Sequence, residues 1–131
     1  MILDSSVLIA ILRGEPDALF YIEAVADAAD LRMSAANFLE TAIVVDASRH
    51  PTSSRSLDDF VARHKIVIEP VTETQARIAR EAYRDFGKGS GHPAQLNFGD
   101  CFAYALAKDL GEPLLFKGDD FRHTDVRPAG G

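Results

Sequence analysis

Brief apolar runs alternating with longer stretches of helical spacing constrain the fold of this chain more than any other feature. Met1-Ile2-Leu3, Leu31-Arg32-Met33, Ile66-Val67-Ile68 and Leu114-Leu115-Phe116 read as short strands. After the first run, Val7, Leu8, Ile11 and Leu12 repeat at helical spacing until Arg13-Gly14. Glu15-Pro16-Asp17 opens a second helix through Phe20, Ile22 and Val25 to about Ala28, and Ser34 caps a third whose Phe38, Leu39, Ala42 and Ile43 line an apolar face. A polar connection at Arg49-His50-Pro51-Thr52-Ser53-Ser54 precedes a short amphipathic helix with Leu57, Phe60 and Val61, closed by His64-Lys65. Thr72-Glu73-Thr74-Gln75 has capping-box spacing and leads a helix with Ala76, Ala79, Ala82, Tyr83 and Phe86 on one face. A last helix runs from Asn97 to Gly111. Strands separated by helices pair in parallel, so the expected class is α/β, a central mainly parallel sheet flanked by helices on both sides.

The totals narrow the function. A chain of 131 residues, 47% hydrophobic, has a core for one domain, expected to span 1–131. Its apolar runs are far shorter than the roughly 20 residues that cross a bilayer, and the N-terminus lacks a basic lead-in and processing site. A soluble cytoplasmic protein that does not engage membranes is expected. The single Cys101 forms no internal disulfide and reads as a small packed residue. A net charge of -6 argues against nucleic-acid binding by bulk electrostatics, so metal ions and local basic residues would have to overcome repulsion of a polyphosphate. Gly87-Lys88-Gly89-Ser90-Gly91-His92-Pro93 is a flexible, glycine-rich loop. It is no nucleotide-binding P-loop, because Gly89 follows Lys88 and the loop follows a helix. It reads as a solvated linker or a substrate-contacting loop. His50, His64 and His123 show no paired ligand spacing, which disfavours zinc.

The acids carry the chemistry. Asp4 ends the first strand, facing a helix that Ser5-Ser6 can cap, and the carboxyl ends of strands are where open α/β sheets bind ligands. Glu40 sits within the third helix, flanked on its own side by Ala36 and Val44. Asn97 and Asp100 open the last helix, and Asp119-Asp120 follow the last strand. Taken singly, Asp4 is accounted for as a turn residue, Glu40 as a solvated helix edge, and Asn97 with Asp100 as caps. Caps do not explain why all these acids fall at element ends or on one face of an apolar framework. Clustered carboxylates repel, and hard divalent cations with oxygen ligands are the usual remedy. Mg2+, with Mn2+ as substitute, fits this pattern. Arg13, Lys88, Lys117, Arg122 and His92 are candidate phosphate contacts.

Asp4 with Ser5-Ser6, Glu40, Asn97-Phe98-Gly99-Asp100-Cys101-Phe102 and Phe116-Lys117-Gly118-Asp119-Asp120-Phe121 together resemble the PIN-domain ribonucleases, most closely the VapC toxins of toxin-antitoxin pairs. The resemblance covers nearly the whole chain. It implies a PIN-like fold, a Mg2+- or Mn2+-dependent endoribonuclease acting on RNA through a metal-activated water, a homodimer, and inhibition by a cognate VapB antitoxin. It further implies that Asp4, Glu40, Asp100 and Asp120 are the catalytic metal-binding acids, with Asp119 an alternative ligand beside Asp120. Ser6 and Asn97 would support the carboxylates. A haloacid-dehalogenase-like phosphatase is the competing enzyme, but the position of its second acid holds Ser6. A partner-docking module without catalysis is the competing non-enzyme.

Overall fold

The computed structural model describes residues 1–47 and 51–129, without the side chains of 51–53. Its sheet has strands β1 (Ile2–Leu3), β2 (Arg32–Ser34), β3 (Val67–Glu69) and β4 (Leu114–Leu115), in spatial order β3-β2-β1-β4. Every pairing is parallel, with Ile2 opposite both Arg32 and Leu114. The helices are α1 (Ser5–Arg13), α2 (Ala18–Asp27), α3 (Ala35–Ala47), α4 (Pro51–Arg63), α5 (Glu73–Phe86) and α6 (Phe98–Leu110). A short 3-10 helix follows at Asp120–His123. The expected α/β class, parallel sheet and flanking helices are all present.

The two-residue strands β1 and β4 divide the core. Successive strand side chains point to opposite faces. Ile2 and Leu114 therefore pack with Leu96, Ala103 and Leu106 of the α5–α6 side, whereas Leu3 and Leu115 pack with Leu8, Val25 and Leu57 of the α1, α2 and α4 side. Ile2, Leu3 and Leu114 are fully buried. Strand order reverses at β1, whose neighbours are β2 on one side and β4 on the other. Such a switch opens a crevice at the carboxyl edge, where Asp4 lies.

Several local expectations change. Asp4 itself, in extended backbone, caps α1 by accepting from the Ser6 amide, so Ser5 and Ser6 lie inside the first turn. The expected apolar face of α3 is split: Phe38 and Ala42 pack against the core, whereas Leu39 and Ile43 do not. Asn37, Thr41 and Val45, spaced a turn apart, are buried, while Leu39 and Ile43 are 58% and 59% exposed. Periodicity identifies an apolar stripe but not what covers it. β3 is a sheet edge, and its Val67 is exposed. Of the expected polar connection, Arg49 and His50 lie outside the described residues, and Pro51 to Ser54 form the first turn of α4, where proline is tolerated for want of an amide partner. Thr72 caps α5 through the Gln75 amide, but the Gln75 side chain reaches Asp109 on α6 instead of closing the box.

The loop after α5 is closed on itself. Lys88 donates its amide to the Leu96 carbonyl and Leu96 donates to Phe86, while the Ser90 hydroxyl and His92 Nδ1 hold the turn between. His92 also packs edge-on against Phe86, so it acts as a staple of the loop. At Gly87 an added Cβ would stand 2.3 Å from the Tyr83 carbonyl oxygen and 2.8 Å from its ring. Since a backbone carbonyl cannot rotate aside, Gly87→Ala is expected to destabilise the protein by roughly 1–3 kcal/mol. Chemical denaturation of the variant beside wild type measures this, and an unchanged midpoint would refute the close approach.

Candidate active site

Asp4 enters the crevice directly from β1 and is 3% exposed. Its Oδ2 accepts from the Ser6 amide at 3.1 Å and the Ser6 hydroxyl at 2.6 Å. The same hydroxyl accepts from the Lys117 amide at 3.0 Å. Ser6 thus ties the chain leaving β1 to the chain leaving β4 while donating to the Asp4 carboxylate. Asp4 Oδ1 is buried with no hydrogen-bond partner. Burial is the main reason that the Asp4 carboxyl is pushed up to about 7, against the lowering hydrogen bond from Ser6, with the charges of Asp100 and Glu40 raising it further.

Asp100 stands in the first turn of α6 and is held by a reciprocal capping box. Asn97 Oδ1 accepts from the Asp100 amide at 2.8 Å, and Asp100 Oδ2 accepts from the Asn97 amide at 3.0 Å. Capping and support of the acid are one arrangement here, not alternatives. Burial lifts the Asp100 carboxyl to about 6, and the charges of Asp120 and Glu40 add to this, while Lys88 opposes it. The adjacent acids after β4 separate in role. Asp120 acts on Asp100, whereas Asp119 is 85% exposed and paired with Arg122. Glu40 reaches the group from α3, where its carboxylate lies against Gly99.

The charges of Glu40 and Asp100 thus act on Asp4, and those of Glu40 and Asp120 on Asp100, although among the described residues no three His, Cys, Asp or Glu side chains converge tightly enough to hold an ion as they stand. The donor set nevertheless fits a hard divalent cation. It is all oxygen, and the buried, unpartnered Asp4 Oδ1 needs a positive partner. Of the basic candidates, Lys88 acts on Asp100. Lys117 is instead paired with Glu15 at 3.1 Å and Asp17 at 3.0 Å, and Arg13 is exposed at the end of α1.

A PIN domain profile matches residues 1–127. The chain belongs to the PIN-domain family. Within it, this PIN domain is 59% identical over 129 residues to Ribonuclease VapC28 of Mycobacterium tuberculosis, covering 98% of this chain and 97% of the relative. Its likeness to these VapC ribonucleases bears out the resemblance seen in the sequence motifs. The crystal structure of Mycobacterium tuberculosis VapC20, a Sarcin-Ricin loop cleaving toxin, superposes with a TM-score of 0.75 at 17% identity, covering 97% of this chain and 98% of that one. A toxin-antitoxin complex from Klebsiella pneumoniae superposes at 0.70 and 15% identity, covering 92% and 88%. At those identities the structures confirm the PIN fold alone.

Two residues that shape this candidate site of the PIN domain were not singled out from the sequence. Asn37, fully buried one turn before Glu40, donates Nδ2 to Glu40 Oε1 at 3.2 Å and to the Gly99 carbonyl at 2.9 Å. Gly99 leaves the space in which the Glu40 carboxylate lies, since an added Cβ would stand 2.4 Å from Oε2. A glycine inside a helix is unfavourable unless something approaches closely, and this was the available signal.

The raised carboxyls set a pH dependence. Asp4 and Asp100 bind protons more tightly folded than unfolded, so their favourable contribution is complete below the unfolded range near 4 and is lost as pH rises through about 6 and 7. In chelator, Asp4→Asn is expected to flatten the decline and to exceed wild-type stability at pH 8 by on the order of 2–4 kcal/mol. Thermal unfolding from pH 4 to pH 8 checks this, and parallel curves for the two proteins would refute it.

Proposed function

We propose that this VapC-type ribonuclease is a Mg2+-dependent endoribonuclease toxin, with Mn2+ as substitute, restrained by a cognate VapB-type antitoxin. The observation that carries the reading is the buried Asp4 oxygen without a partner, at the centre of mutually repelling carboxylates on the carboxyl edge of a parallel sheet. Asp4, Glu40, Asp100 and Asp120 would hold the cation, with Asp119 outside the direct set because it turns to Arg122. When bound, the ion supplies Lewis acidity, lowering the pKa of a water and offsetting charge that develops on phosphate.

The chain's own groups do the rest. Ser6 fixes Asp4 Oδ2, and the Asn97 capping box fixes Asp100. Lys88, beside Asp100, supplies local positive charge for the RNA backbone in a protein of net charge -6. Water adds to phosphorus and the bond to the 3'-oxygen breaks, leaving a 5'-phosphate and a 3'-hydroxyl. Hydrolysis in one displacement needs no covalent enzyme intermediate. An antitoxin Arg or Lys entering the crevice would pair with the same carboxylates and compete with the cation.

A homodimer is part of the same reading. It is supported by the exposed Leu39, Ile43 and Phe98, the last 77% exposed, which form an apolar surface beside Glu40. Ile43→Arg is expected to shift the solution mass from dimer to monomer by light scattering, and an unchanged dimer would place the interface elsewhere.

The activity is tested on a mixed RNA pool with Mg2+, with Mn2+ and with chelator, wild type beside Asp100→Asn. Cutting that requires both the cation and Asp100, with a loss of at least about a hundredfold in the variant, is expected. Equal cutting by both proteins, or cutting in chelator, would overturn the mechanism. Metal binding without any cutting would favour a docking module.

A further inference from the structure

We infer that Asn37 is a positioning residue, whose buried carboxamide holds the Glu40 carboxylate against the first turn of α6 and so sets the affinity of the acid cluster for a divalent cation. This rests on the cation reading above. Asn37 is completely buried, and its Nδ2 is shared between Glu40 Oε1, three residues along the same helix, and the Gly99 carbonyl, 62 positions away on α6. Two oxygen partners fix which end of the amide is nitrogen. The other end, Oδ1, is buried without a partner.

That unpaired oxygen is the informative feature. Leaving a buried acceptor unsatisfied costs on the order of 1–3 kcal/mol, and a leucine of similar volume would fill the same space without that cost. An asparagine is therefore poorly explained as packing between α3 and α6. It is explained by what its nitrogen does. Without the donor, a carboxylate on a flexible side chain has no reason to stay against Gly99, where its Oε2 lies too near for a Cβ. With it, Glu40 is held one residue from Asp100, in the place where its charge raises the Asp4 and Asp100 carboxyls.

The test is Mn2+ binding by titration calorimetry on the full chain, for wild type, Asn37→Leu, Glu40→Gln and the double variant, with melting temperatures in chelator. Asn37→Leu is expected to weaken Mn2+ about tenfold or more, as loss of a residue that orients a ligand does, and to weaken it no further once Glu40 is Gln. Loss of stability with Mn2+ affinity within twofold of wild type, or an equal loss in both Glu40 backgrounds, would reduce Asn37 to packing. Gly99→Ala supplies the second arm if Asn37→Leu does not fold. It keeps Asn37, displaces only the end of a flexible side chain, and is expected to lower Mn2+ affinity with little change in melting temperature. Unchanged affinity in Gly99→Ala would overturn the inference. Wild type that binds no Mn2+ would sink the cation reading and this inference together, whereas binding lost in Glu40→Gln but retained in Asn37→Leu and Gly99→Ala would sink the inference alone.

Discussion

The parallel pairing of β1 with β2 on one side and β4 on the other is the constraint on which the rest depends. A central strand of two residues has no solvated face, so Ile2 and Leu3 each enter a different half of the core. The residue that follows must then leave the sheet inside a nearly closed crevice. Asp4 consequently begins α1 at 3% exposure, and a carboxylate is carried into a low-dielectric position by chain geometry alone.

Once there, the acid is managed by its neighbours. Ser6 donates to one oxygen and accepts from Lys117, which locks the two strand exits together. Asn97 does the equivalent for Asp100 through the helix cap, and Asn37 for Glu40 across α3 and α6. Asp4, Glu40 and Asp100 are thus each held by a neutral group, so these three are oriented without an ion pair among the described residues. Two of the nearby basic side chains are spent elsewhere, Lys117 on Glu15 and Asp17 and Arg122 on Asp119, which leaves Lys88 acting on Asp100. Burial is the main cause of the upward shifts at Asp4 and Asp100, and the neighbouring carboxylates add to it, so the group favours a cation.

The apolar surface over α3 and α6 borders this cluster, with Glu40 and Gly99 lying between Leu39, Ile43 and Phe98. Whatever covers the surface would lower the local dielectric at Glu40. The proposed assembly and the proposed cation binding would therefore be physically adjacent, joined through α3.

Much of this was legible from residue order. Alternating brief apolar runs and helical spacing required a parallel sheet between helices, and acids at element ends pointed to the carboxyl edge, because both signals are local and repeat within a turn or a strand. The Asn97–Asp100 capping box is likewise a matter of three-residue spacing. What tertiary structure alone decided are the contacts between distant segments. Periodicity showed that α3 has an apolar stripe, but packing against α1 and α6 buried Asn37 and Thr41 and left Leu39 and Ile43 outside. The family resemblance favours Asp120 over the adjacent Asp119, but only the structure gives their surroundings: Asp119 pairs with Arg122, and the charge of Asp120 acts on Asp100. Asn37 finds Gly99, and Ser6 finds Lys117, across 62 and 111 positions. The sequence by itself determined which chemistry the chain carries and at which ends of its elements. The closure of the sheet decided which groups meet, since distances between remote side chains are set by packing and have no local signature.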